Sequence, residues 1–74
     1  MISNQIKSAL ALSGRKQTEL AEHFEMTKQS MNNKIARDSW SAKDLVKVAE
    51  FVGGKLVLIM PDGQRINITH NADD

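Results

Sequence analysis

QTELAEHFEMTKQSMNNKIAR, residues Gln17 to Arg37, decides how the rest of this 74-residue chain is read. Leu20, Ala21 and Phe24 fall on one face of a first helical segment, and Met31 and Ile35 on one face of a second. The two segments therefore bury against each other. Glu25, Met26 and Thr27 leave room between them only for a sharp bend, with Met26 as an apolar plug beneath it. This is the pattern of a helix-turn-helix. Lys28, Gln29, Asn32, Asn33 and Arg37 stay on the outside of the second segment, and all are polar.

The outward face can be placed by angle. With Met31 at the centre of the buried side, Ile35 lies about 40° away, whereas Gln29 and Asn33 lie about 160° away on either side. Thr27 is a suitable N-cap for this helix, and Lys28 sits at its start. Amides such as those of Gln29 and Asn33 each offer a donor and an acceptor, which suits bidentate pairing with adenine N6 and N7 in a major groove. On a helix without this context, such residues are ordinary solvated surface.

Residues 17–37 resemble the helix-turn-helix of the phage-repressor and Cro-like family of bacterial regulators. The resemblance rests on the opening Gln17, the Leu20-Ala21 pair, the bend, and a second helix that begins with Thr27 and polar residues. It extends to the run Asn33, Lys34, Arg37 and Asp38, which is followed by a further amphipathic helix, and it covers about the first 54 residues. It implies a DNA-binding regulator with the second helix of the motif in the groove. Lys28, Gln29, Asn32 and Asn33 would read base edges, and Lys16, Gln17, Thr27 and Arg37 would hold the phosphate backbone. One position departs from the family. Glu25 stands where the turn usually has glycine, and a non-glycine residue at positive φ is strained by roughly 1 kcal/mol or more. Either the turn takes another path or Glu25 carries that strain.

Length and composition agree with one small domain, residues 1–69, followed by a polar tail, residues 70–74, expected to be disordered. A chain this short buries only about 60% of its unfolded surface, which favours dimerisation. It contains no cysteine, so disulfides and thiolate metal sites are excluded and a reducing cytoplasm fits. The longest purely apolar run, Leu56 to Met60, is far too short to span a membrane, and the N-terminus lacks a signal peptide's pattern. The formal net charge is only +1. Six basic against three acidic residues up to Arg37 give +3, however, and four against six beyond it give −2. A basic front and an acidic rear agree with one polyanion-facing side.

Periodicity places four helices at about residues 3–12, 16–24, 28–36 and 42–52. Ser3 or Asn4 is placed to cap the first, and Gly14 stops it. The second begins badly, since neither Arg15 nor Lys16 is a good N-cap. Two readings of that end stay open: a DNA phosphate completes it, or Ser13 or water does. Ser41 and Asp44 form a capping box at the fourth helix, and Trp40 with Leu45 has the spacing of a hydrophobic staple. Its stripe is Leu45, Val48, Ala49 and Val52; Val46 and Phe51 lie well off it, so at least one of them must find another apolar surface.

Residues 55–69 change period to that of a β-hairpin. Pro61-Asp62-Gly63 suits a type I turn with positive φ at Gly63, pairing Leu58 with Ile66 and Leu56 with Ile68; a two-residue Asp-Gly turn would shift that register. In either register the first strand keeps apolar residues on its second face. Val57, Ile59 and Phe51 are therefore expected to meet a second copy. The fold class is mainly α with a C-terminal β-hairpin, four repressor-like helices plus a dimerising two-stranded element.

Other chemistry finds little support. His23 and His70 have no partner at metal-ligand spacing, and no phosphate loop, nucleophile elbow or carboxylate pair in a cleft is present. The expectation is no enzyme, no metal and no cofactor, with double-stranded DNA and a second copy as partners. A reading from another class is a protein-interaction module, an antitoxin or phage accessory factor that uses the hairpin to bind a different protein.

Overall fold

A computed structural model describes residues 1–69. Four helices, α1 (Ile2–Ser13), α2 (Gln17–His23), α3 (Lys28–Arg37) and α4 (Ala42–Phe51), precede an antiparallel hairpin of β1 (Leu56–Ile59) and β2 (Arg65–Ile68). The tail, residues 70–74, lies outside the described residues. Among the described residues no helix is long and apolar enough to cross a membrane.

The interior is one cluster drawn from all four helices. Ile6, Leu10, Leu20, Ala21, Met31, Ile35 and Val48 are buried in it, and Phe24, Met26, Trp40, Leu45, Phe51 and Val52 pack around them. Leu20 and Met31, one from each helix of the motif, have no exposed surface. Burying side chains of this size stabilises by about 1.5–3 kcal/mol each. Met26 plugs the bend as its sequence position predicts. Ile2 does not join the core and is largely exposed.

All four helices end in the same way. A residue in the left-handed region lets the next N–H reach back five residues: Arg15 to Leu10, Met26 to Ala21, Ser39 to Lys34 and Gly54 to Ala49, with N···O distances of 2.8–3.2 Å. At α1 and α4 the left-handed residue is glycine, but at α2 it is Glu25 (φ 56°) and at α3 Asp38 (φ 55°). Glu25 thus takes the left-handed conformation that glycine adopts at the other two helix ends, and carries the strain. Asp38 has a local reason to tolerate it. Its carboxylate accepts the backbone N–H of Ser3 at 2.7 Å and of Ile2 at 3.4 Å, and so caps α1 from the far end of α3.

That contact corrects the expected start of α1. Neither Ser3 nor Asn4 is the cap, because the helix begins at Ile2 and Ser3 lies inside it, only 3% exposed. The Ser3 hydroxyl donates to the Ile35 carbonyl at 2.8 Å and accepts from the Trp40 indole at 2.9 Å. A buried hydroxyl costs stability unless it is hydrogen-bonded, and this one has both partners. Helix α4 starts as its sequence predicts, with Ser41 accepting from the Asp44 N–H and Asp44 from the Ser41 N–H.

The hairpin has the register predicted from its Pro61-Asp62-Gly63 turn, with Leu56 opposite Ile68 and Leu58 opposite Ile66. Gly63 sits at φ 90° and its N–H closes on the Met60 carbonyl at 2.9 Å. Val46, off the α4 stripe, is buried outside the main cluster. It lines a cavity of about 300 Å³ with Leu56 and Ile68 at the hairpin base. Phe51 finds its surface within the chain, packed on the core with the His23 ring 5.0 Å away and the Arg15 guanidinium 4.9 Å above it.

Replacing Glu25 by glycine removes the left-handed strain and should raise stability by about 1 kcal/mol, a rise of roughly 4–8 °C in Tm for a domain of this size. A calorimetric scan that shows no gain would mean that the turn is unstrained. The Asp38 carboxyl is held below the ordinary carboxylate value, chiefly by the Ser3 backbone N–H. A lowered folded-state pKa contributes stability above the unfolded value of about 3.9, and this is lost as pH falls through the folded value. Asp38→Asn, which keeps the left-handed backbone, should therefore lower Tm at pH 7, and the gap from the parent should narrow toward pH 3.

Candidate nucleic-acid interface

The outward side of α3 is built by what its inward side must do. Met31 and Ile35 are fixed in the core, and this turns two rows of polar side chains to solvent. Gln29, Asn33 and Arg37 form one row at intervals of four residues, and Lys28 and Asn32 form the other, nearer the start of α2. All five are exposed. Lys34, between the rows and the body, takes no part in this face. Its ammonium donates to Asp44 at 2.7 Å and to the Ser39 carbonyl at 2.8 Å, and it lies 5.1 Å from the Trp40 ring centre.

The start of α3 is capped as its sequence predicts. The Thr27 hydroxyl oxygen accepts the Ser30 N–H at 3.1 Å. At the start of α2 the cap is one that the sequence reading missed. The Lys16 N–H donates to the Glu19 carboxylate at 3.0 Å, an acidic residue at the position where it offsets the positive helix end. Glu19 also stands 4.0 Å from Arg15. Ser13 does not help, because its hydroxyl donates back to Leu10 within α1.

Two ties hold α3 from opposite sides. On one side, the Gln17 side-chain amide donates to the Asn32 side-chain oxygen, joining the first residue of α2 to the middle of α3. The bond fixes the orientation of the Asn32 amide. Toward its C-terminal end, the Lys34–Asp44 pair joins α3 to the capping box of α4. Partial burial pushes the Asp44 carboxyl up, but Lys34 and the Ser41 N–H outweigh this, and it lies below the ordinary carboxylate value.

The structure therefore brings Lys28, Gln29, Asn32 and Asn33 together on one exposed helix face. Gln17 is joined to that face, Thr27 and Arg37 stand at its two ends, and Lys16 precedes Gln17. Val57 and Ile59 are on the hairpin, and Phe51 is on the body under Arg15. The Gln17–Asn32 bond spans 15 positions and has no sequence period; only the crossing of α2 over α3 shows it. An apolar groove of about 420 Å³ lies elsewhere, between α1, α4 and the start of β1, lined by residues such as Ala9, Leu45, Val52 and Leu56. Among the described residues, Lys55 is the one titratable side chain in that lining.

Comparison with known proteins agrees with the helix-turn-helix architecture. The family model of the bacteriophage CI repressor helix-turn-helix domain matches residues 4–60, a span from α1 through β1 that includes the whole outward face of α3. Searches of curated proteins and of solved structures found no match. The match covers well over half of the 74 residues, so the chain belongs to the family of the bacteriophage CI repressor helix-turn-helix domain and is a DNA-binding regulator.

Proposed function

We propose that this regulator is cytoplasmic and binds a palindromic operator in double-stranded DNA as a homodimer, with α3 of each copy in the major groove. The observation that carries the reading is the double row of exposed polar side chains on α3, fixed in place by the Gln17–Asn32 bond and the Lys34–Asp44 pair. Lys28, Gln29, Asn32 and Asn33 face the base edges. Gln29 and Asn33, one turn apart, suit adenine, and Lys28 at the helix start suits guanine O6 and N7. Lys16, Gln17, Thr27 and Arg37 hold the phosphates on either side. Two copies then meet half-sites about 34 Å apart, one helical turn of DNA.

A different protein as the hairpin's partner is the second reading. It is favoured by the apolar side chains that the hairpin leaves exposed, among them Leu58 and Ile66. The readings separate by salt. DNA binding should weaken steeply as salt rises, because bound phosphates release counterions.

Selection of bound duplexes from a random library tests binding, symmetry and sequence together, and a pool without enriched sequence would sink the operator reading. Against the selected site, Gln29→Ala or Asn33→Ala should cost about 1–3 kcal/mol and relax the preference at one base position per half-site. Arg37→Ala should weaken all sequences alike and reduce the salt slope by about 1 per copy. Gln17→Ala should do both, because it removes a phosphate contact and frees Asn32 to rotate. Discrimination unchanged in Gln17→Ala would show that the Asn32 tie is not used in recognition.

A further inference from the structure

The core stripe of α4 is only half covered. Of the four residues that its period assigns to the interior, Val48 is buried, whereas Leu45, Ala49 and Val52 keep part of their surface open. These three form one wall of the groove of about 420 Å³ that runs between α1, α4 and the start of β1. Ile2, Gln5 and Ala9 line it from α1, and the core residues Ile6 and Val48 lie at its floor. Half-covered apolar surface in a concave setting marks a place where another group binds.

Volume and polarity narrow what that group is. The groove falls within the usual range of small-molecule sites, which are mostly apolar with a few placed polar groups. Its wall from Leu45 to Val52 is two helical turns long, about 10 Å, which suits an extended chain of roughly eight to ten carbons. Lys55 stands at the Val52 end, where the chain leaves α4. Among the described residues the ion pairs are Arg15 with Glu19 and Lys34 with Asp44, so the Lys55 ammonium is not engaged in one. The carbonyls at that end of α4 offer nothing to a cationic head, because Gly53 and Gly54 donate to those of Glu50 and Ala49 at 3.1 and 2.8 Å. Glu50 lines the neighbouring cavity at the hairpin base and not the groove.

The geometry points to a binding site for a small amphiphile with a single anionic head, of which a medium-chain carboxylate is the simplest. Its alkyl chain lies between α1 and α4 on Ile6 and Val48, and its head meets Lys55. A single cation at one end of an otherwise uncharged groove matches one negative charge on an apolar chain. A second copy placed groove to groove would instead bring Lys55 toward Lys55. No residue of α2 or α3 lines the groove, so the site stands apart from the proposed DNA face and depends neither on an operator nor on the dimer.

The test uses the full chain and decanoate below its micelle concentration, followed by calorimetry and by amide resonances. Binding should saturate at one decanoate per copy and shift the amides of Ala9, Ala49 and Leu56 while leaving those of Gln29 and Asn33 in place. From hexanoate to decanoate, each added methylene should tighten binding by about fourfold, the effect of burying it. Lys55→Gln should weaken decanoate by up to about fivefold, the range of an exposed ion pair, and leave decanol unchanged. Ala9→Leu, which fills the groove from a helix surface that accepts leucine, should weaken both by about tenfold or more at unaltered helix content.

Absence of saturable decanoate binding overturns the site. So does binding that Ala9→Leu does not weaken, or that shifts the hairpin tip in place of the groove. A decanoate affinity indifferent to Lys55→Gln overturns the anionic head and leaves a plain apolar surface, of the kind that a second copy or another protein covers. None of these outcomes bears on operator selection, which the α3 variants test by themselves.

Discussion

The buried hydroxyl of Ser3 holds together the parts of this molecule that must not move relative to each other. It takes the indole proton of Trp40 and gives its own to the Ile35 carbonyl, while the backbone N–H of the same residue goes to Asp38. Three bonds at one residue thus join the start of α1, the end of α3 and the approach to α4. Removing the hydroxyl would leave the Trp40 indole N–H unpaired and the Ile35 carbonyl with the Asp38 N–H alone, and an orphaned donor costs more than the bond is worth when made. The left-handed backbone of Asp38 belongs to the same device. It ends α3 and, in that conformation, its carboxylate meets the start of α1. One residue closes one helix and opens another.

The direction of α3 follows from this arrangement and matters for recognition. A groove-reading helix has to present its side chains at fixed angles, because amide pairs with bases are bidentate and tolerate little rotation. Here α3 is held by Met31 and Ile35 beneath, by the Ser3–Asp38 knot at its C-terminal end, by Lys34–Asp44 on one flank and by Gln17–Asn32 on the other. None of these contacts uses Gln29, Asn33 or Arg37. Gln29, Asn33 and Arg37 are thus left free to meet a ligand, whereas Gln17 and Asn32 belong to the tie as well; the 3.6-residue period sets the outward rows, and the crossing of the helices sets the tie.

What the sequence revealed and what it hid divide along the range of the interaction. The motif, the Ser41–Asp44 box, the Thr27 cap and the hairpin register were all legible, because each is set by residues within a few positions of one another. The knot was not. Ser3 and Asp38 are 35 positions apart, and in sequence Ser3 looks like an ordinary cap. Val46 was read as stranded off its stripe because the stripe assumes a single apolar neighbour, whereas α4 has the core on one side and the hairpin base on the other. On the outward face of α3 the exposed positions were legible, because the helical period sets them. The Gln17 tie was not, since it depends on how two helices cross.

Glu25 completes the account of how local strain and dimerisation bear on each other. A chain of this size has a small core, and it tolerates a strained turn residue where a glycine would serve. If stability came from the single chain alone, strain and a poorly covered hairpin would be an odd pair of features to combine. In a dimer they are compatible, because burial of the hairpin surface adds to the stability of each folded copy. In the proposed homodimer the second half-site contact would be an intramolecular event, so that two individually weak α3 contacts would yield a tight one. On this reading folding, dimerisation and operator binding are linked equilibria. An operator stabilises the dimer by the same free energy by which the dimer favours the operator.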